Sequence, residues 1–367
     1  MESNHVGYLR VTLHLILFKK TEPWAYFHFM KSLRMLQIAC ALVLFGASAL
    51  SQETITLVGA GSTLPAPLYA SWTEAYNGRN PNLQVRYVPM STKEGINQIT
   101  HAIGDFAAGE VPLSDDQLHT SKSQIMHIPT VLVGVVPIYN LPGVAGTLKF
   151  SGSVLADIFM GRIKNWNDPK ILKLNPAISL PTTPIKIVHR GEGKGTNYIL
   201  TDYLSKVSPT FQSEIGRTAS PKWPDGSIIA QRSEDMVNNV KSASGSIGYV
   251  ELDYALRSGL TIGMVQNAAG EFVKASPQTI SAALKDKTIP SDFRVSITNA
   301  PGKEAYPISS FTWLYIPNNG KPERIKAMKQ FLDWAMHDGQ EHAQRQGYTP
   351  LPGSLVAKVE IRLNSIR

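Results

Sequence analysis

The strongest constraint on this chain is the way its apolar pattern changes period. "ETITLVGAG" (53–61) reads as a strand ending in a glycine turn, and a helix begins near Pro65. Leu64, Leu68, Trp72 and Tyr76 recur there at four-residue spacing, one apolar face of a helix. "NLQVRYVPM" (82–90) alternates like a strand, and "EGINQITHAIG" (94–104) returns to helical spacing through Ile96, Ile99 and Ile103. Strand and helix in alternation predict a parallel sheet flanked by helices, an α/β fold.

The pattern continues downstream. "IMHIPTVLVGVVPIYN" (125–140) reads as a buried strand broken by Pro137, and "GSVLADIFMGRIKNW" (152–166) as a helix closed by a glycine. "TPIKIVHR" (183–190) predicts a strand, "TNYILTDYLSKV" (196–207) a helix and "YPISSFTWLYIP" (306–317) a long apolar strand, whereas 265–300 is polar and without clear period. "KPERIKAMKQFLDWAMHDG" (321–339) has Pro322 in its first turn, Ile325, Met328, Leu332 and Met336 on one face, and Gly339 beyond its expected end. The 367 residues, 43% hydrophobic and 17% charged, are enough for two globular domains.

The first fifty residues follow other rules. Leu36 to Leu50 is an apolar run preceded by Lys31 and Arg34 and followed by small residues, the pattern of a secretory signal peptide too short for a comfortable membrane span. Cleavage after Ala49 or Ser51 both fit. Residues 1–29 stand awkwardly before it and read as an upstream extension, with Met30 the better start. Cys40, the only cysteine, lies inside the apolar run, so the mature chain carries no disulfide. Residues 1–51 hold five Lys and Arg against two Asp and Glu, which leaves the mature chain at +5. That mild, dispersed positive charge steers anions and gives no nucleic-acid footprint.

"HRGEGKGTNY" (189–198) sets three alternating glycines between a strand and a helix start. Unpaired amide groups at that start, with about half a positive charge from the helix dipole, suit an anion. A Walker loop needs Gly-Lys followed by Ser or Thr, and here Gly195 follows Lys194; GxGxG also misses the GxGxxG of dinucleotide binders, as does "GAGSTL" (59–64). The anion is therefore expected to be small. Arg190 can clamp two oxygens of it, Thr196 and Thr63 offer a hydroxyl at two similar strand-to-helix turns, and Glu192 would orient Arg190 or accept a ligand proton. The same residues also read as helix caps, a surface arginine and a solvated lysine. The nine histidines show no HExxH or paired ligand spacing, and "SGSIG" (244–248) lacks the first glycine of a nucleophile elbow, so no metal site and no catalytic nucleophile is expected.

Five collinear stretches, "GAGSTLPAPLYASW" (59–72), "DIFMGRIKNWNDPKILKLNP" (157–176), "HRGEGKGTNYILTDYLSKV" (189–207), "GSIGYVE" (245–251) and "GQEHAQRQGYTPLP" (339–352), together resemble the periplasmic phosphate-binding proteins of ABC-type phosphate importers, from about residue 53 to the end. The resemblance implies a two-domain periplasmic binding fold (type II), each domain a mixed sheet flanked by helices, with a two-segment hinge near Pro137 and Pro307. Domain I would be 52–136 and 308–367, and domain II, inserted, 137–307, with the 321–339 helix packed back on domain I. It implies a monomeric phosphate receptor, secreted to the periplasm, that uses no cofactor, is not an enzyme and delivers its ligand to a membrane permease. Another tetrahedral oxyanion as ligand, or a secreted phosphatase, are the alternatives.

Carried across position by position, the resemblance assigns ligand contacts to the hydroxyl and N–H of Thr63, the N–H of Leu64, the hydroxyl of Thr92, Arg190, Gly195 and Thr196. Three positions depart from the family pattern. Glu110 and Glu192 stand for aspartates, Glu110 at the position that accepts the ligand's proton, and Lys194 stands for a serine.

Overall fold

A computed structural model describes residues 54–285 and 287–366. The upstream extension and signal-peptide readings fall outside those residues. The strands are β1 (Ile55–Gly61), β2 (Leu83–Pro89), β3 (Phe106–Gly109), β4 (Ile125–Asn140), β5 (Lys149–Phe150), β6 (Lys186–Arg190), β7 (Ile228–Ala230), β8 (Ser246–Glu251), β9 (Thr261–Ile262), β10 (Met264–Gln266), β11 (Phe272–Val273) and β12 (Ser309–Pro317).

β1 is followed by the helix Ala66–Arg79, β2 by Thr92–Thr100 and β6 by Gly195–Val207. These are the strand-to-helix units that the changing apolar period predicts. A nine-stranded sheet runs in the order β2-β1-β3-β12-β4-β8-β6-β7, with β9 beside β4, while β11, β10 and β5 form a small second sheet. β1 is parallel to β2 and β3, and β6 is parallel to β7 and β8; β12 and β4 run against their neighbours.

β4 joins the two halves of this sheet. Its residues up to Gly134 pair with β12, and from Val135 to Asn140 they pair with β8. Pro137 does not break it, contrary to the sequence expectation. Its carbonyl accepts from Gly263 N–H, so its ring sits where the ladder loses one donor and no more. The other internal proline, Pro129, lies at the register shift opposite Thr312 and Trp313, a bulge that tolerates it.

Tyr76 meets Phe331 edge-on at 5.2 Å, which seats the helix Pro322–Met336 against the first helix. Gly339 does not close the chain's helical run. A further helix, Asp338–Arg345, starts at once, and the Gly339 carbonyl accepts from the indole N–H of buried Trp72 at 2.8 Å. Among the described residues no helix is long and apolar enough to cross a membrane.

Candidate anion-binding site

β1 and β6 lie in different halves of the sheet, yet both end at a turn that starts a helix. Parallel strands present helix N-termini at their carboxyl ends, so such a crevice concentrates backbone N–H groups and positive dipole ends. Three helix starts meet here, at Ala66, Thr92 and Gly195, linked by two buried side chains, Glu110 and Arg190.

Glu110 follows β3 and is fully buried. Its Oε2 accepts from the hydroxyls of Ser62 at 2.8 Å and Thr92 at 3.0 Å, and Thr312 lies 3.5 Å from Oε1. Burial pushes its pKa up to about 7; the two hydroxyls and Arg190 oppose that rise and the charge of Glu251 adds to it. On the opposite wall stands Gly195. A Cβ there would lie 1.7 Å from Glu110 Oε2, so only glycine lets this helix start come so near the carboxylate.

Arg190 ends β6 with 1% of its surface exposed. One terminal nitrogen donates to Ser233 Oγ at 3.0 Å, and the other donates to Thr63 Oγ1 at 3.1 Å and to the Gln231 carbonyl at 3.2 Å. Its counter-charge is Glu251 at the end of β8, 3.6 Å away and equally buried. Burial raises the pKa of Glu251, and the arginine's charge opposes the shift. Arg190 Nε and Thr196 Oγ1 are buried and make no hydrogen bond to the protein, so both are free to bond a ligand.

The structure thus brings Thr63, Thr92, Glu110, Arg190, Gly195 and Thr196 into one connected cluster. Leu64 is adjacent, but its N–H donates to Ser62 Oγ at 3.1 Å, and that hydroxyl in turn donates to Glu110. Glu192 is left outside. The turn carries it to the surface, where it faces Lys93 at 3.5 Å with 74% of its side chain exposed; Glu251, not Glu192, pairs with the arginine. Lys194 is not the solvated loop residue of the simplest reading. It is half-buried, and its Nζ donates to the Met90 carbonyl at 3.0 Å.

Ser62, Ser233 and Glu251 escape sequence reasoning. Ser62 adjoins a noted residue, and Glu251 closes the "GSIGYVE" stretch, but no spacing links either to Arg190. A cavity of about 400 Å³ lined by Asp202, Arg217, Arg294 and Trp313 begins one turn along the 195–207 helix. Its charges are paired with one another, Arg294 with Asp115 and Asp292, and Arg217 with Asp202, so it offers no comparable cradle.

Comparison with known proteins matches residues 47–338 to the model of the PBP superfamily domain. Two curated relatives, each named phosphate-binding protein PstS, are 37% identical: that of Xylella fastidiosa, covering 85% of this chain and 86% of the relative, and that of Pasteurella multocida, covering 87% and 92%. Among solved structures, a phosphate-binding protein from Stenotrophomonas maltophilia aligns with TM-score 0.62 at 19% identity over 84% of this chain and 94% of its own. An ABC-type phosphate transport receptor from Vibrio cholerae aligns with TM-score 0.57 at 15% identity, over 81% and 100%. The two structures establish the two-domain type II binding fold, and with the curated matches the chain belongs to the PstS phosphate-binding protein family of the PBP superfamily.

Proposed function

We propose that this chain captures inorganic phosphate between its two halves, outside the cytoplasm, and hands it to the membrane permease of an ABC-type importer. The observation that carries the reading is the meeting of three helix starts around a buried arginine and a buried carboxylate. A phosphate dianion taken out of water loses hydration that only many aligned donors can replace. The amide groups at Gly195 and Thr196, the hydroxyls of Thr63 and Thr196, and the guanidinium of Arg190 are those donors; Thr92 and Ser62 hold the carboxylate in place.

Glu110 supplies the discrimination. Ionised, it accepts the proton of monohydrogen phosphate, whereas sulfate has no proton to give and meets a repelling oxygen. A site built round one such bond rejects the analogue that lacks it by about 10⁴-fold or more. The lobes are assigned as 52–136 with 308–367, and 137–307, and β4 changes partner close to the first boundary. Hinged closure of the lobes buries the ligand and forms the surface that a permease recognises.

Arg190→Ala is expected to weaken phosphate binding at least about tenfold, because one charge-assisted bond is worth that much. Equilibrium titration checks it, and unchanged affinity removes Arg190 from the site. In the phosphate reading the Ser62 and Thr92 hydroxyls are spent on holding Glu110; turnover of p-nitrophenyl phosphate by the purified chain would favour the enzyme alternative instead.

A further inference from the structure

The turn 191–194 does more than present amide groups, because it reaches the other half of the molecule three times. Lys93 N–H donates to the Gly193 carbonyl at 3.1 Å. Lys194 Nζ donates to the Met90 carbonyl at 3.0 Å, and Lys93 Nζ lies 3.5 Å from Glu192 Oε1. Met90 and Lys93 flank Ser91 and Thr92, the helix start whose hydroxyl holds Glu110. The three contacts therefore cross the cleft beside the anion cradle. Gly193 makes the approach feasible, since its φ of +71° and the nearness of Lys93 Cβ, 2.8 Å from where its own Cβ would be, both exclude a larger residue.

The three contacts are not equal in strength. The Lys93–Glu192 pair is exposed on both sides, so solvent screens it and it contributes little. The Lys194 bond is charge-assisted and half-buried, and such bonds are about twice as strong as neutral ones. Burial and the neighbouring charge of Arg190 both act against the lysine's ammonium, so its place across the cleft is held at an electrostatic cost. An anion next to Arg190 offsets that cost and strengthens the hold.

We infer that Lys194 is a cross-cleft latch, tying the turn after β6 to the Met90 carbonyl and so setting how long the closed form keeps its anion. The inference rests on the phosphate reading of the cleft. It assigns Lys194 a role in release rather than in contact with the ligand, which makes it a positioning residue. Interactions formed only after closure act mainly on dissociation.

The test is stopped-flow measurement of phosphate association and release for the mature chain, using inorganic phosphate as the probe. Lys194→Met is expected to release phosphate about tenfold faster with association changed less than about threefold. Lys194→Arg, which keeps a charged donor of similar reach, is expected to stay within about threefold of the original release rate, and Glu192→Gln within about twofold. A Lys194→Met release rate equal to that of the unmodified chain overturns the latch while leaving the phosphate site standing. Absence of phosphate binding by the unmodified chain overturns the site itself. Equal loss in the Met and Arg variants also overturns the latch, because a carbonyl-bonded cation would tolerate arginine.

Discussion

Glu251 takes the place beside Arg190 that sequence spacing suggests for Glu192. Two residues after an arginine is a natural position for its partner, yet the turn at Gly193 sends Glu192 to solvent, and the end of β8 delivers Glu251 instead, through strand pairing that no local spacing encodes. Glu110, by contrast, was legible by resemblance, but its environment was not. Burial lifts its pKa to about 7, inside the physiological range, against the opposing effect of the Ser62 and Thr92 hydroxyls. The sign gives a prediction. Above pH 7 the carboxylate is ionised and only accepts, so sulfate is excluded; below it the added proton can be donated to a sulfate oxygen. Competition by sulfate is therefore expected to grow as pH falls from 8 to about 5.5. Glu110→Gln, a donor at every pH, should bind sulfate equally at both. Sulfate competition that is flat with pH in the unmodified chain would count against this role.

At the scale of elements, strands and helices with a clean period were readable: β1, β2, β6 and the helices after them lie within a few residues of their expected limits. Three features were not. Pro137 is a breaker by local chemistry, but β4 absorbs it because the lost donor is confined to one rung. The helix Asp338–Arg345 was hidden by Gly339, which is chosen for its close fit against Trp72 rather than to end a helix. Asn267, whose amide bonds the carbonyls of Gly302, Lys303 and Ala305, organises the polar stretch 265–300 by a long-range link instead of a periodic one.

The helix start at Gly195 carries the prediction at this scale. In Gly195→Ala the new methyl group would lie 1.7 Å from Glu110 Oε2, a clash that the proposed hinge opening relieves. Phosphate affinity should fall by about tenfold or more, the range expected of overpacking, while thermal stability without phosphate changes little. A parallel loss of both, seen by titration and melting, would mean that the methyl group disrupts the fold and not the closure.

At the scale of the molecule, a mildly basic chain with dispersed charge and a pattern of strand-to-helix turns implies an anion receptor of the α/β kind. Sequence alone does not show how distant turns are brought together. That depends on β4 passing from one half of the sheet to the other, and on Glu110 and Gly195 coming face to face. The central claim is that this cleft holds a tetrahedral dianion by its donors and checks for its proton with Glu110. Calorimetric competition at pH 8 tests it most directly. Phosphate and arsenate should bind and displace each other, while sulfate in about a thousandfold excess leaves the phosphate isotherm unchanged. Displacement of phosphate by that sulfate, or no phosphate isotherm at all, would contradict the account.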